Sequence, residues 1–102
     1  GVAHSYKVEG PGEDFMPGAL NFGVIDEMMV VTDKQSFETA RELVKKEGIF
    51  AGGSSGMAVY AAFQVARNLP KDAIVVTILP DSGRSYISKF YDDNWMKENK
   101  FI

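Results

Sequence analysis

The stretch Ile74-Val75-Val76-Thr77-Ile78-Leu79-Pro80-Asp81-Ser82-Gly83-Arg84 decides the fold. Its run of β-branched and aliphatic residues ends at Pro80, and small or polar residues follow before a new amphipathic segment begins. Such a run predicts a strand that is buried on both faces, as in the core of a parallel sheet. Ligands of open α/β sheets bind beyond the carboxyl ends of these strands. We therefore expect Asp81 and Ser82 to lie where a ligand binds.

The composition limits both the size of the protein and the classes of function open to it. The 102 residues, 45% hydrophobic and 25% charged, predict one globular segment over residues 1–102. A net charge of −3 gives no electrostatic basis for binding nucleic acid or an anionic membrane surface. The absence of cysteine excludes disulfides and thiolate metal sites and fits a cytoplasmic protein. With one histidine, a multi-histidine metal centre is excluded as well, and we expect no metal site.

Hydrophobic periodicity predicts an alternation of strands and helices. A capping-box pattern at Thr32 and Gln35 starts a helix that ends at Gly48, the expected left-handed cap. The segment from Gly10 to about Asp26 lacks periodicity, and it is either a binding loop or a loop packed on the core. The predicted strands cover residues 5–9, 27–32 and 73–79, and the other predicted helices cover 57–68 and 85–91, with a last turn capped at 92–94. This order indicates an α/β fold with part of an open, mostly parallel twisted sheet and flanking helices.

Two short motifs leave several functions open. Gly52-Gly53-Ser54-Ser55-Gly56 is typical of a turn that opens a helix and binds an anion, but Ser54 or Ser55 can equally be an ordinary helix N-cap. The same residues fit the Gly-x-Ser-x-Gly elbow of serine hydrolases. A hydrolase of that fold has its histidine after the serine, whereas the one histidine here is His4, so this reading ranks last. Asp81 and Ser82 can likewise serve only as caps of the helix that follows them.

Taken together, the motifs resemble the cysteine synthase and cystathionine β-synthase family, which are fold-type II pyridoxal-phosphate enzymes. The resemblance covers nearly the whole chain in the right order. Its tail looks more like cystathionine β-synthase than cysteine synthase. The matching stretches are Val8-Glu9-Gly10-Pro11-Gly12-Glu13-Asp14-Phe15, the Gly52–Gly56 turn with its alanine-rich helix, Ile78–Arg84, and Lys89–Met96.

The resemblance implies the cofactor pyridoxal 5′-phosphate and a set of residues that contact it. Ser82 is expected to hydrogen-bond the pyridine nitrogen, with Pro80 and Asp81 beside it. Gly10 and Gly12 resemble the glycine loop that borders cofactor and substrate, although Pro11 stands where the family has an aliphatic residue. The Gly52–Ser55 turn is expected to pack near the cofactor pocket.

The resemblance also implies that this chain corresponds to the C-terminal portion of a catalytic domain. The family's Schiff-base lysine lies in a Ser-x-x-Asn-x-Lys setting that no lysine here matches, so we expect no catalytic residue in this chain. The expected activity of the complete enzyme is β-replacement, in which serine and homocysteine are condensed to cystathionine. Its expected partners are the N-terminal part of the same domain, the amino-acid substrates and a second copy in a homodimer. The alternatives are a cysteine synthase that uses O-acetylserine and sulfide, and a non-catalytic α/β module that binds an anion.

Overall fold

The structure is a computed structural model that describes residues 7–8 and 18–102. Within them, three α-helices occur in the order α1 (Asp33–Glu47), α2 (Gly53–Ala66) and α3 (Asp93–Glu98). Two short 3₁₀-helices cover Phe22–Val24 and Gly83–Tyr86. In this part of the chain no helix is long and apolar enough to cross a membrane.

Helix α1 is formed as its local sequence predicts. The Gln35 amide donates to Thr32 Oγ1 at 3.1 Å, and the Thr32 amide donates to Gln35 Oε1 at 3.0 Å, which completes the capping box. At the other end Gly48 adopts the left-handed conformation, with φ of 67°. Lys45 and Lys46 in the last turn oppose the negative end of the helix dipole. The buried residues of the helix are Ser36, Phe37, Ala40 and Leu43.

Helix α2 packs directly on α1, and it begins four residues earlier than its periodicity predicts. Its first residue is Gly53 rather than Met57, because the glycines and serines predicted to form a turn continue the helix. At Gly56 the two helices approach so closely that an added Cβ would lie 2.0 Å from the Ser36 carbonyl oxygen. The α1–α2 contact therefore requires a residue without a side chain at position 56.

The carboxyl-terminal segment covers the end of this helix pair with aromatic side chains. Phe37 of α1 stacks on Phe90 at a centroid distance of 4.7 Å and meets Trp95 and Phe101 edge-on at 5.5 and 5.3 Å. Met96 of α3 is fully buried. Asp92 caps this helix, in agreement with the last turn predicted to be capped at 92–94. The core cluster consists of Val8, Phe37, Ala40, Tyr86, Phe90 and Met96.

The predicted sheet is not formed among residues 7–8 and 18–102. Residues 27–31 and 73–80 carry no strand pairing, although both have the expected apolar sequence. Ile74, Val76 and Ile78 are 89, 85 and 78% exposed, which contradicts burial on both faces. A strand becomes part of a sheet only when neighbouring strands take up its backbone hydrogen bonds, and these two segments do not pair with each other. The predicted strand at 5–9 lies mostly outside the described residues.

A second correction concerns residues 85–91. The predicted helix is replaced by the 3₁₀-helix Gly83–Tyr86 and a series of turns. The reason is that three aromatic side chains from this short stretch are held in different directions. Phe90 enters the core, Tyr91 tilts against Phe50, and Tyr86 reaches back to Asp81. The contacts of Phe90 and Tyr91 with residues far along the chain override the local helical spacing.

Arg41 connects α1 to the carboxyl-terminal segment, and this connection predicts a pH dependence of stability. Its guanidinium donates to the Phe90 carbonyl oxygen at 2.8 Å and to Asp93 Oδ1. The Arg41 hydrogen bond and charge lower the pKa of Asp93 below its ordinary value of 3.8. The stabilisation by this ion pair is therefore fully present above about pH 4 and is lost as the pH falls through the lower folded-state pKa. We expect Asp93→Asn to have a lower urea midpoint than the unsubstituted chain at pH 7. At about pH 2.5 we expect the two urea midpoints to lie closer together.

Urea unfolding followed by circular dichroism at both pH values measures this difference. Asp72→Asn is the matched control, because Asp72 forms no ion pair within the described residues. An equal effect of Asp93→Asn at both pH values would contradict the prediction.

Candidate functional site

The candidate site lies where the start of α2 meets the turn that follows the extended segment 73–80. Ala51 and Ser82 form an isolated antiparallel bridge. The Gly52 amide donates to the Asp81 carbonyl oxygen at 3.2 Å, and the Gly83 amide donates to the Phe50 carbonyl oxygen at 3.1 Å. The two motifs singled out in the sequence are therefore adjacent in space, although about 30 residues separate them.

Ser82 is exposed and caps the short helix Gly83–Tyr86. Its Oγ accepts a hydrogen bond from the Arg84 amide at 3.2 Å. The sequence left open that Ser82 is a simple cap, and the structure does give it this role. The acceptor role leaves the hydroxyl hydrogen free to donate to a ligand. Pro80 is exposed beside it.

The first turn of α2 contributes a second serine, from the motif that the sequence left open as a cap, an anion site, a hydrolase elbow or a turn near the cofactor pocket. The N-cap of α2 is Gly52, with no side-chain capping bond, so the alternative in which Ser54 or Ser55 is the N-cap is wrong. Ser55 is fully buried, and within the described residues its Oγ has no hydrogen-bond partner. Ser54 is partly exposed in the same turn. Ser54 is therefore the residue of this turn whose hydroxyl can meet a ligand from solvent.

The aromatic residues behind the site hold its two parts together. Tyr91 Oη donates to the Ala51 carbonyl oxygen. Burial raises the pKa of Tyr91, and the negative charge of Asp81 acts in the same direction, so the phenol stays a neutral donor at physiological pH. The Cβ that a side chain would add at Gly83 would lie 2.6 Å from the Phe50 ring and 2.8 Å from Tyr91. A glycine at position 83 is needed for this close packing.

Two parts of the predicted site are not confirmed by these contacts. Gly10 and Gly12 lie outside the described residues. Asp81 does lie at the site, but its carboxylate accepts a hydrogen bond from Tyr86 Oη at 2.7 Å. Within residues 7–8 and 18–102, no group of three metal-ligating side chains is close enough to hold a metal ion.

A groove also runs along α2. Its volume is about 360 Å³, and it lies between the small side chains of the helix and the two extended segments. The lining residues include Met29, Ala58, Ala62, Val65 and Val75. The alanines predicted to allow close packing of α2 therefore face the segments that were predicted as strands.

Comparison with known proteins gives a consistent result over this same region. The family model described as pyridoxal-phosphate dependent enzyme matches residues 2–81. Cystathionine beta-synthase of Saccharomyces cerevisiae is 46% identical over 97 residues, which cover 92% of this chain and 19% of that protein. The chain spans about a fifth of the length of the curated relatives first matched.

The backbone of the chain also resembles parts of solved structures. O-acetylserine dependent cystathionine beta-synthase from Helicobacter pylori superposes with a TM-score of 0.78 at 37% identity, covering 84% of this chain and 28% of that one. O-ureido-L-serine synthase superposes with a TM-score of 0.81 at 32% identity, covering 92% of this chain and 32% of that one. Both the sequence and the backbone therefore match one part of larger chains.

Proposed function

The chain belongs to the family of pyridoxal-phosphate dependent enzymes, and from this premise we propose that it forms one part of a catalytic domain for β-replacement on serine. In the complete enzyme, serine and homocysteine would be condensed to cystathionine. The similarity to cystathionine beta-synthases over nearly the whole chain supports this choice of reaction. The remaining part of the domain is the proposed partner, and a homodimer is the proposed assembly.

The observation that carries the proposal is the Ala51–Ser82 bridge. It joins the Ser82 turn to the start of α2, where Ser54 lies three residues after Ala51. The site thus offers two neutral hydroxyl donors close to one helix start, and the nearby carboxylate of Asp81 already accepts from Tyr86. Such a donor set fits the pyridine nitrogen of pyridoxal phosphate, which accepts one hydrogen bond.

Bound pyridoxal phosphate supplies an electron sink for the negative charge that develops on the substrate. A neutral hydroxyl donor leaves the ring nitrogen largely unprotonated, whereas a carboxylate partner would favour its protonated form. The weaker electron sink suits elimination and addition at the β-carbon more than transamination. On this proposal the chain's contribution is to orient the ring by one hydrogen bond and to keep the Asp81 charge engaged elsewhere.

Ser82 and Ser54 are the two candidates for this hydrogen bond. Ser82 is the residue that the family resemblance favours, while Ser54 is favoured by its partial exposure and by having no hydrogen-bond partner in the described part of the chain. In the complete enzyme, we expect Ser→Ala at the true donor to lower the rate of cystathionine formation by on the order of tenfold and to shift the absorbance of the bound cofactor. The same substitution at the other serine is the matched control.

The measurement is cystathionine formation from serine and homocysteine, beside cysteine formation from O-acetylserine and sulfide. Unchanged rate and absorbance in both variants would exclude a serine donor from this chain. A higher specificity constant with O-acetylserine and sulfide would favour the cysteine synthase alternative. Failure of the complete wild-type enzyme to bind pyridoxal phosphate would favour the non-catalytic anion-binding module.

A further inference from the structure

The Asp81 carboxylate is held from two directions. Tyr86 Oη donates to Asp81 Oδ2 at 2.7 Å. Asp81 Oδ1 occupies the space beside Gly52, where an added Cβ would lie 2.0 Å from it. Tyr86 itself is 8% exposed and stacks on Phe90 at 5.2 Å. Asp81 itself is exposed, but its carboxylate lies between the phenol of Tyr86, which the core holds, and Gly52.

This position also places a negative charge beside the start of α2. Gly52 is the N-cap and provides no side-chain acceptor for the first turn. A carboxylate near a helix N-terminus is favourable because the unsatisfied N–H groups there carry partial positive charge. The Asp81 backbone carbonyl also accepts from the Gly52 amide, so both the main chain and the side chain of Asp81 contact the same residue.

We propose that Asp81 is a positioning residue that acts with Tyr86, and that it does not bind the cofactor itself. Their hydrogen bond holds the Asp81 carboxylate against Gly52, the N-cap of α2. This contact, together with the hydrogen bond from the Gly52 amide to the Asp81 carbonyl oxygen, sets the separation between the first turn of α2, which carries Ser54, and the turn that carries Ser82. The tyrosine anchors this separation to the aromatic core rather than to the ligand. This inference rests on the proposed function, because it concerns the alignment of the two candidate donors.

Three substitutions in the complete enzyme separate this role from a direct one. Asp81→Ala removes the acceptor, Tyr86→Phe removes the donor, and Asp81→Asn keeps an oxygen that can accept from Tyr86. We expect Asp81→Ala and Tyr86→Phe each to weaken pyridoxal phosphate binding by on the order of tenfold and to shift its absorbance at saturation in the same direction. The double variant should be no worse than either single variant. Asp81→Asn should restore most of the loss.

A direct contact between Asp81 and the cofactor predicts a different pattern. In that case Asp81→Asn would shift the absorbance while Tyr86→Phe would leave it unchanged, which would overturn the proposal. A purely structural role would lower the urea midpoint without any change in the absorbance at saturation, and this result would overturn it too. Gly52→Ala should reproduce the effect of Asp81→Ala, because the new Cβ displaces the carboxylate. Gly18→Ala is its control, since no atom of the described part of the chain lies within 4 Å of a Cβ there.

The proposed function can fail separately from this inference. If the complete wild-type enzyme binds no pyridoxal phosphate, the proposed function is wrong. The coupling between Asp81 and Tyr86 is then decided by a double-mutant cycle on the urea midpoint. Nonadditive effects would support the coupling between Asp81 and Tyr86, and additive effects would remove it.

Discussion

On its own, the 102-residue chain is expected to form no borohydride-reducible adduct with pyridoxal phosphate and to catalyse no β-replacement. The family resemblance implies a Schiff-base lysine in a sequence setting that no lysine of this chain matches. The structure adds a second reason, because several apolar side chains of the segment 73–80 are largely exposed in the described part of the chain. Ile74, Val76 and Ile78 form this bare face. When the chain is combined with the proposed N-terminal portion of the domain, we expect both the adduct and cystathionine formation to appear.

The bare face of this segment gives the complementation test a matched pair of variants. Val76→Lys places a charge on a residue that is 85% exposed here and that we expect the partner portion to bury. Burying an unpaired ammonium group would cost roughly 3 kcal/mol, so association should weaken by about a hundredfold. Leu69→Lys, in the turn after α2, changes the charge equally away from this face.

Mass spectrometry of the reduced protein and an association assay such as calorimetry provide the measurements. A reducible adduct on a lysine of the isolated chain would refute the prediction about the lysine. Equal weakening by Val76→Lys and Leu69→Lys would refute the assignment of the bare face to the partner portion.

Gly56→Ala is expected to destabilise the protein by about 3 kcal/mol, a large effect for one methyl group. In an ordinary exposed helix interior this substitution would stabilise by about 1 kcal/mol, because alanine has the higher helix propensity. Here the new Cβ would lie 2.0 Å from the Ser36 carbonyl oxygen and 3.0 Å from the Ala40 Cβ. The carbonyl belongs to the backbone of α1, so the collision is relieved only when the two helices move apart. The overlap therefore outweighs the propensity.

Gly53→Ala in the same helix is the control for this substitution. Its Cβ would meet the Phe37 ring at 3.1 Å, and the ring can shift by a few tenths of an ångström. We expect a loss of about 1 kcal/mol or less for this variant. Chemical denaturation of both variants measures the difference, and equal losses would show that backbone contact at Gly56 is not the cause.

Helix α1 could be predicted almost completely because its signals are local. The capping box at Thr32 and the left-handed Gly48 both lie within the helix or next to it. Helix α2 was predicted with the wrong start, since Gly53 and Gly56 signal a turn when they are read alone. They are tolerated in the helix because neighbouring elements approach them closely. That reason exists only in the tertiary structure.

The candidate site was predicted in part. The sequence correctly indicated polar residues directly after the extended segment at Pro80. It did not indicate that Ser82 would pair with Ala51, because that contact depends on how distant segments pack. It also did not indicate that Tyr86 would hold Asp81, because the segment was predicted as a regular helix and not as a short turn. The sheet was predicted from the hydrophobic character of single segments and from their alternation with helices. Hydrophobic character identifies a segment that can become a strand but does not supply the neighbouring strands.

The packing of Trp95 has a practical consequence. It is the one tryptophan of the chain, and it lies edge-on to Phe37 and beside Phe101, at 5.5 and 5.9 Å between ring centroids. Its fluorescence emission therefore reports whether the carboxyl-terminal segment is docked on α1. Trp95 belongs to the aromatic cluster and not to the candidate site, so this intrinsic signal can follow docking of the segment separately from events at the serines.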